Sequence, residues 1–131
     1  MCIRDSDSLV ELLDLYPTLA NLCGLKAPVR LQGKDISRLL DNPNKTVRDA
    51  AFSVNGKGYL LRTAEWAYVR YGANGKNGEE LFDMVNDPKQ YTNLVGKDKY
   101  QQQLESLRLA MDEKLASVLD NDLELTYSTK P

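Results

Sequence analysis

The sequence predicts an α+β fold in which a short antiparallel sheet is packed by a long C-terminal helix. Extended runs rich in β-branched and aromatic residues lie at 50–54, 58–71 and 79–84, and turn residues bracket each run. A helical stripe follows at 99–119, and one further helix precedes the sheet. Strands joined by short turns and then covered by a helix are typical of the α+β class.

The first predicted helix runs from Leu15 to Cys23. Asp14 stands at the N-cap position, Pro17 lies in the first turn, where its missing N–H costs nothing, and Gly24 supplies the left-handed residue that ends the helix. Its leucines at i, i+4 and i+7 share one side: Leu15, Leu19 and Leu22. Periodicity leaves open whether the residues just before Asp14 form a strand end or an earlier helical turn.

A polar connection at 26–44, with one short amphipathic turn at 36–40, leads into the sheet. Asn55-Gly56 is a strong hairpin signal after the first extended run. In the second run, alternation separates two faces: Trp66, Tyr68 and Arg70 on one, and Ala67, Val69 and Tyr71 on the other. Residues 72–78 read as a flexible second hairpin loop.

The last predicted helix carries its apolar residues at steps of three and four: Tyr100, Leu104, Leu107, Met111, Leu115 and Val118. This stripe predicts a face that docks on the sheet. Residues 120–131 are polar and read as a loose tail.

Composition excludes several function classes. The 131 residues include 17 Lys+Arg, 19 Asp+Glu and no histidine, for a net charge of −2. Without histidine, this sequence contains no Ser-His-Asp or Cys-His nucleophile pair. The charge balance disfavours nucleic acid as a partner, and no apolar run approaches the roughly 20 residues of a membrane span. Cys2 and Cys23 lack metal-type spacing, and Cys23 is expected to be a buried thiol.

Acidic clusters invite a catalytic interpretation, but solvated or turn-capping roles fit them better. The acidic residues concerned are Glu79, Glu80, Asp83, Asp87, Asp120 and Asp122. Three others, Asp7, Asp14 and Asp35, are too dispersed for a calcium loop. Trp66 with Tyr59, Tyr68 and Tyr71 makes either a sugar-stacking platform or a sheet face covered by the last helix, and the second is favoured.

Several blocks, in order and with natural spacing, resemble the carboxy-terminal part of a type I sulfatase. They are Val10–Gly24 with its Asp-Leu-Tyr-Pro-Thr-Leu core, Leu31–Asp35, Gly58–Thr63, Trp66–Arg70, Glu80–Asp83, Asn86–Pro88 and Thr92–Leu94. Within that family they are most similar to the iduronate-2-sulfatase-like branch. The resemblance covers roughly residues 9–118.

The resemblance implies an alkaline-phosphatase-like α/β enzyme that hydrolyses sulfate esters, often on carbohydrate. It also implies a formylglycine nucleophile made from a Cys-x-Pro-Ser-Arg motif, beside a calcium ion. Cys2 is followed by Ile-Arg-Asp, so no catalytic, cofactor-binding or metal residue of the family can be assigned here. Arg62 or Lys57 would be the candidates to reach a sulfate or uronate, although a structural ion pair is the better expectation for them.

Four segments follow from the resemblance. Residues 1–6 fit no sulfatase block and match one frame of a transposase-adapter DNA end, which predicts a sequencing-library scar. Residues 7–45 would end the large sulfatase domain and connect it to a C-terminal subdomain at 46–119, followed by the tail at 120–131. The expected partners are the missing N-terminal catalytic domain and a sulfated carbohydrate, in a periplasmic or extracellular enzyme. The chain is expected to be inactive alone, and a stand-alone protein- or glycan-binding module is the alternative.

Overall fold

The computed structural model describes residues 5–119. After a 3-10 turn at Leu12–Asp14, the elements are α1 (Leu15–Leu22), α2 (Arg38–Asp41), β1 (Ala50–Asn55), β2 (Gly58–Thr63), β3 (Trp66–Tyr71), β4 (Glu79–Asp83) and α3 (Gln101–Leu119). A second 3-10 turn, Asp98–Tyr100, leads into α3. Cys2, Asp120, Asp122 and the predicted tail lie outside the described residues.

The four strands form one antiparallel sheet in the order β1-β2-β3-β4. The predicted hairpin at Asn55-Gly56 is confirmed, because Asn55 pairs with Gly58 across the turn. The prediction of a single run at 58–71 is wrong, since the chain turns back after Thr63. The Thr63 hydroxyl accepts a hydrogen bond from the Trp66 N–H at 3.0 Å, which closes this turn and splits the run into β2 and β3.

Helix α3 covers one face of the sheet, and the core lies between them. The predicted docking stripe is confirmed, with Leu104, Leu107 and Met111 buried against Leu61, Tyr68, Leu81 and Leu94. The registers Leu61–Tyr68 and Tyr68–Leu81 place these three side chains side by side on the covered face. This core belongs wholly to residues 46–119, so the sheet and α3 make a unit with its own hydrophobic interior.

The N-terminal helix is shorter than predicted, and two details of that prediction are wrong. The residues before α1 form a 3-10 turn, and Gly24 ends the helix with φ +69°, as expected for a left-handed C-terminal glycine. Asp14 does not cap α1 through its side chain. Cys23 is exposed, not buried, because it lies at the C-terminal end of α1, away from the sheet.

Candidate functional site

Helix α1 is anchored by its polar side. Three polar residues at i, i+4 and i+7 face the connection between α1 and α2: Asp14, Thr18 and Asn21. Asp14 accepts the N–H of Lys34 at 2.7 Å, and Thr18 accepts the N–H of Ile36 at 3.0 Å. The Asn21 amide donates to the carboxylate of Asp35 at 2.8 Å and to the hydroxyl of Ser37 at 3.0 Å. The connection therefore packs on the hydrophilic stripe of the helix.

A neighbouring, apolar side of α1 faces outward. The predicted stripe of Leu15, Leu19 and Leu22 remains 51%, 59% and 55% exposed. Flanking residues extend the same kind of surface: Val10, Leu12, Leu13, Tyr16, Leu25 and Val29 are all exposed. We call these nine residues the apolar surface. Many large apolar side chains exposed in one short segment are typical of an interaction site.

A buried charge cluster joins this segment to the sheet. Arg48, just before β1, lies between Glu11 and the fully buried Asp14. The distance from Arg48 Nη1 to Glu11 Oε2 is 2.5 Å, and Arg48 Nη2 donates to Asp14 Oδ1. Burial lowers the pKa of Arg48, but hydrogen bonds and charge from Glu11 and Asp14 outweigh it and raise that pKa. Because the three charged side chains are largely buried, they hold the segment firmly only while all three are present.

The same cluster protects the exposed edge of the sheet. Glu11 Oε1 accepts the backbone N–H of Phe52, an outward-facing donor of β1, at 2.9 Å. Gly33 completes the joint, because a Cβ at that position would lie 2.1 Å from the carbonyl oxygen of Leu13. The connection can approach the start of α1 only where residue 33 has no side chain. The apolar surface is thus held in a defined place relative to the sheet.

Two further ion pairs fasten α3 to the sheet. Arg108 pairs with Glu79, which also accepts a hydrogen bond from the Tyr68 hydroxyl. The hydrogen bond from Arg108 lowers the pKa of Glu79, and Glu79 in turn raises the pKa of Arg108. Burial is the main cause that raises the pKa of Tyr68. Arg70 pairs with Asp112 at 2.6 Å. These charges are paired with one another, and the ion pairs hold α3 against the sheet.

The two cations singled out in the sequence have different surroundings. The expected ion pair of Arg62 is wrong: its guanidinium instead donates to the carbonyls of Thr63, Ala64 and Trp66, in the turn between β2 and β3. Burial lowers the pKa of Arg62. Lys57 is exposed in the turn between β1 and β2, at the opposite end of β2. It makes no ion pair with any residue in the range 5–119, so the expectation of an ion pair is wrong for Lys57 too. The structure therefore does not bring these two cations together.

The aromatic residues do not form one platform. Trp66, Tyr59 and Tyr68 lie on the face covered by α3, as the favoured alternative predicted, whereas Tyr71 points to the other face.

Turn-capping is confirmed for Asp83, which accepts the N–H groups of Val85 and Asn86. It is confirmed for Asp87 too, which accepts the Thr92 N–H.

Two acidic residues have roles other than those predicted. Glu79 is neither solvated nor turn-capping, because Arg108 and Tyr68 hold it against α3. Asp14 is fully buried with Arg48. The polar stripe that includes Asp14 was missed, although its spacing of i, i+4 and i+7 along α1 was present in the sequence. Periodicity of polar residues, read as carefully as that of leucines, would have found it.

Residues 5–119 contain no group of three or more Cys, Asp or Glu side chains arranged to hold a metal ion. Within the same range, no helix combines the length and apolar character needed to cross a membrane.

An open cavity of about 580 Å³ separates the N-terminal segment from the turn between β2 and β3, and its lining includes Asp7, Lys45, Arg48, Asp49 and Glu65. The main functional feature of the described residues is therefore a binding surface, the exposed apolar side of the anchored helix α1.

This architecture is that of the carboxy-terminal subdomain of sulfatases, a four-stranded antiparallel sheet packed by a long helix. A glycosaminoglycan (GAG) 2-O sulfatase superposes with a TM-score of 0.70 at 28% identity, over 90% of this chain and 27% of that one. A protein solved with its substrate D-glucosamine-2-N,6-O-disulfate superposes with a TM-score of 0.70 at 26% identity, over 83% of this chain and 24% of that one.

Residues 2–117 match the family described as N-sulphoglucosamine sulphohydrolase, C-terminal. The chain belongs to this family of sulfatase C-terminal domains. Arylsulfatase K of Mus musculus is 27% identical over 126 residues, which cover 86% of this chain and 22% of that protein. The chain thus spans about a fifth of the length of the curated relatives it matches.

Proposed function

We propose that this chain is the C-terminal portion of a sulfatase that hydrolyses sulfate esters of carbohydrate, and that its apolar surface packs against the catalytic portion of that enzyme. The observation that carries the proposal is the orientation of α1. Its polar side is satisfied by the connection, whereas its leucines face outward. An anchored helix that leaves its apolar side exposed is typical of a surface that packs against a partner.

The length of the relatives supports the identity of the partner. Matching proteins are about four times as long as this chain, which covers 22% of one arylsulfatase K and 27% of a solved 2-O sulfatase. The remaining three-quarters of such an enzyme are large enough to cover the apolar surface. Fully burying one leucine contributes roughly 1.5–3 kcal/mol, so a handful of these side chains would hold the two portions together.

The catalytic groups would lie in that other portion. The described residues do not fit a calcium site, and the sequence contains no Cys-x-Pro-Ser-Arg motif from which formylglycine is made. Calcium and formylglycine would supply charge stabilisation and the nucleophile for sulfuryl transfer. The role of this chain is to hold its surfaces in place: the charge cluster of Arg48 fixes α1 relative to the sheet, and the sheet forms one wall of the substrate cleft.

Three finer points belong to the same proposal. The sequence blocks favour the iduronate-2-sulfatase-like branch, whose substrates would be uronate or polysaccharide sulfates. The substrate named for one similar structure, D-glucosamine-2-N,6-O-disulfate, supports a sulfated sugar in general. The enzyme would act in the periplasm or outside the cell, and the isolated chain would be inactive.

A stand-alone binding module is the alternative. Its strongest support was an aromatic strand face, but α3 covers that face and leaves Tyr68 with no exposed surface. The apolar surface also has no role in a module that acts by itself. The structure therefore gives this alternative less support than the sequence did.

The gene from which the chain comes provides the test. A longer reading frame should encode Cys-x-Pro-Ser-Arg, and its product should release sulfate from sulfated disaccharides. The isolated chain should give no turnover of a chromogenic aryl sulfate. Measurable turnover by the isolated chain, or a longer frame that lacks the motif, would contradict the proposal.

A further inference from the structure

Two loops meet at the end of the sheet opposite Arg62. The turn between β1 and β2 contains Lys57, and the loop between β3 and β4 spans residues 72–78. The Gly72 N–H donates to the carbonyl oxygen of Lys57 at 2.8 Å. This bond holds the two loops side by side. We call their exposed residues Gly56, Lys57, Asn74, Lys76 and Asn77 the loop surface.

The longer loop has a defined backbone. It includes a 3-10 turn at Ala73–Gly75, and the Asn77 N–H donates to the carbonyl of Tyr71 at 3.1 Å. The Gly78 N–H donates to the carbonyl of Gly75 at 3.0 Å. Left-handed conformations at Gly72, Asn74 and Gly75 produce this shape. Side chains presented by the loop therefore start from fixed positions.

The two lysines of the loop surface lack the ion pairs that the nearby arginines have. Lys57 and Lys76 are exposed and make no ion pair or side-chain hydrogen bond to any residue in the range 5–119. Nearby Arg70 and Arg108, by contrast, are bound to Asp112 and Glu79. The two lysines are thus available to an anion, and a lysine ammonium binds anionic oxygens as a point charge.

An aromatic ring lies at the same end of the sheet as these lysines. Tyr71 is 38% exposed, and its ring packs against Gly58, where an added Cβ would lie 3.2 Å from ring atom Cε1. The hydroxyl of Tyr71 donates to Glu80 at 3.4 Å, which directs the ring. A recess of about 140 Å³ opens beside it, lined by Ser53, Asn55, Gly58, Tyr59, Leu60, Val69 and Tyr71. A flat ring beside hydroxyl and amide groups suits a sugar.

We infer that the loop surface binds the sulfated carbohydrate, with Lys57 and Lys76 against its sulfate groups and Tyr71 beneath a sugar ring. The inference rests on the proposed function and deepens it, because it assigns substrate contact to named residues of this chain. Charge complementarity selects the occupant: two unmatched ammonium groups fit a ligand with several sulfates better than they fit a neutral sugar.

The test is an NMR titration of the full chain with a sulfated heparin-type oligosaccharide and with the same oligosaccharide after desulfation. We expect amide shift changes at residues 53–59 and 69–78 with the sulfated ligand only. The variant K57A/K76A should bind about tenfold more weakly, since an exposed charge contact changes affinity by about two- to fivefold. Y71A should weaken binding of the sulfated ligand as well.

The matched control is K89A/K97A, which removes two exposed lysines far along the chain from both loops. It has the same net charge as K57A/K76A and should bind as the unchanged chain does. Equal losses for both double variants, or shifts located elsewhere, would overturn the inference and show non-specific attraction of a polyanion. These outcomes are independent of the test for the proposed function, which depends on a longer reading frame and on sulfate release.

Discussion

The two parts of this chain bury opposite kinds of side chain. In residues 46–119, leucines and Met111 fill the space between the sheet and α3. In residues 5–45, polar groups are satisfied inside and leucines point outward. The first part is complete by the usual rules of packing, and the second is not. This difference shows that a segment can be held firmly by its polar contacts while its apolar side still lacks a binding partner.

The largest expected effect comes from breaking the joint between the two parts. Arg48→Met should destabilise the docking of residues 5–45 by about 3–5 kcal/mol, because Glu11 and Asp14 would remain buried without their cation. Hydrogen exchange at the amides of Lys34 and Phe52 reports this directly, since both donate to those carboxylates.

Two observations sharpen that result. Amides inside the sheet should keep their protection in Arg48→Met, because the core lies in the other part. Arg30→Met, which changes an exposed arginine of the same segment, should leave exchange unchanged. Equal protection at Lys34 and Phe52 in both variants would show that the cluster does not hold the segment.

A pair of leucine truncations compares the two parts by stability. Leu81→Ala removes a fully buried side chain and should lower the free energy of unfolding by about 2–5 kcal/mol. Leu19→Ala changes an exposed residue and should change it by no more than about 0.5 kcal/mol. Urea denaturation of the two variants provides the measurement, and similar losses would mean that the apolar surface is covered within the chain.

The distinction between these two leucines could not be made from the sequence. Leu19 lies in the apolar stripe of α1 and Leu81 in the extended run that forms β4, and a local pattern of this kind predicts the element. It does not say which face has a partner in the same chain. The sheet, its first hairpin and the stripe of α3 were predictable because each depends on local pattern and turn chemistry.

Other features depend on contacts far apart in the sequence, and these were missed. Arg48 meets Glu11 and Asp14 across more than thirty residues, as the separation of 34 between Arg48 and Asp14 shows. The turn after Thr63 was overlooked because Ala64 and Glu65 are not typical turn residues, and the hydroxyl of Thr63 and the guanidinium of Arg62 close it instead.

A smaller effect is expected from the fastening of α3. The pKa of Glu79 is lowered in the folded protein, so its ionised form adds stability that is present above the ordinary carboxyl pKa and is lost as pH falls through the lowered value. Glu79→Gln should cost about 1 kcal/mol at pH 7, because the pair with Arg108 is partly exposed.

The pH dependence provides the check on Glu79. As pH falls through the lowered pKa of Glu79, the wild-type side chain takes up a proton, and the two proteins should converge in stability. Urea denaturation at pH 7 and at pH 3 measures the difference. A gap between Glu79→Gln and the wild type that stays constant over this range would rule out the ion pair as its source.

The central claim is that the apolar surface of α1 is an unpaired interface, and fluorescence of a hydrophobic dye with the isolated chain tests it most directly. The wild-type chain should bind the dye or self-associate, as judged by fluorescence and sedimentation. The triple variant L15S/L19S/L22S should lose both properties while keeping the cooperative unfolding of the sheet and α3. A wild-type chain that is monomeric and binds no dye, or a triple variant that binds dye as strongly, would contradict the account.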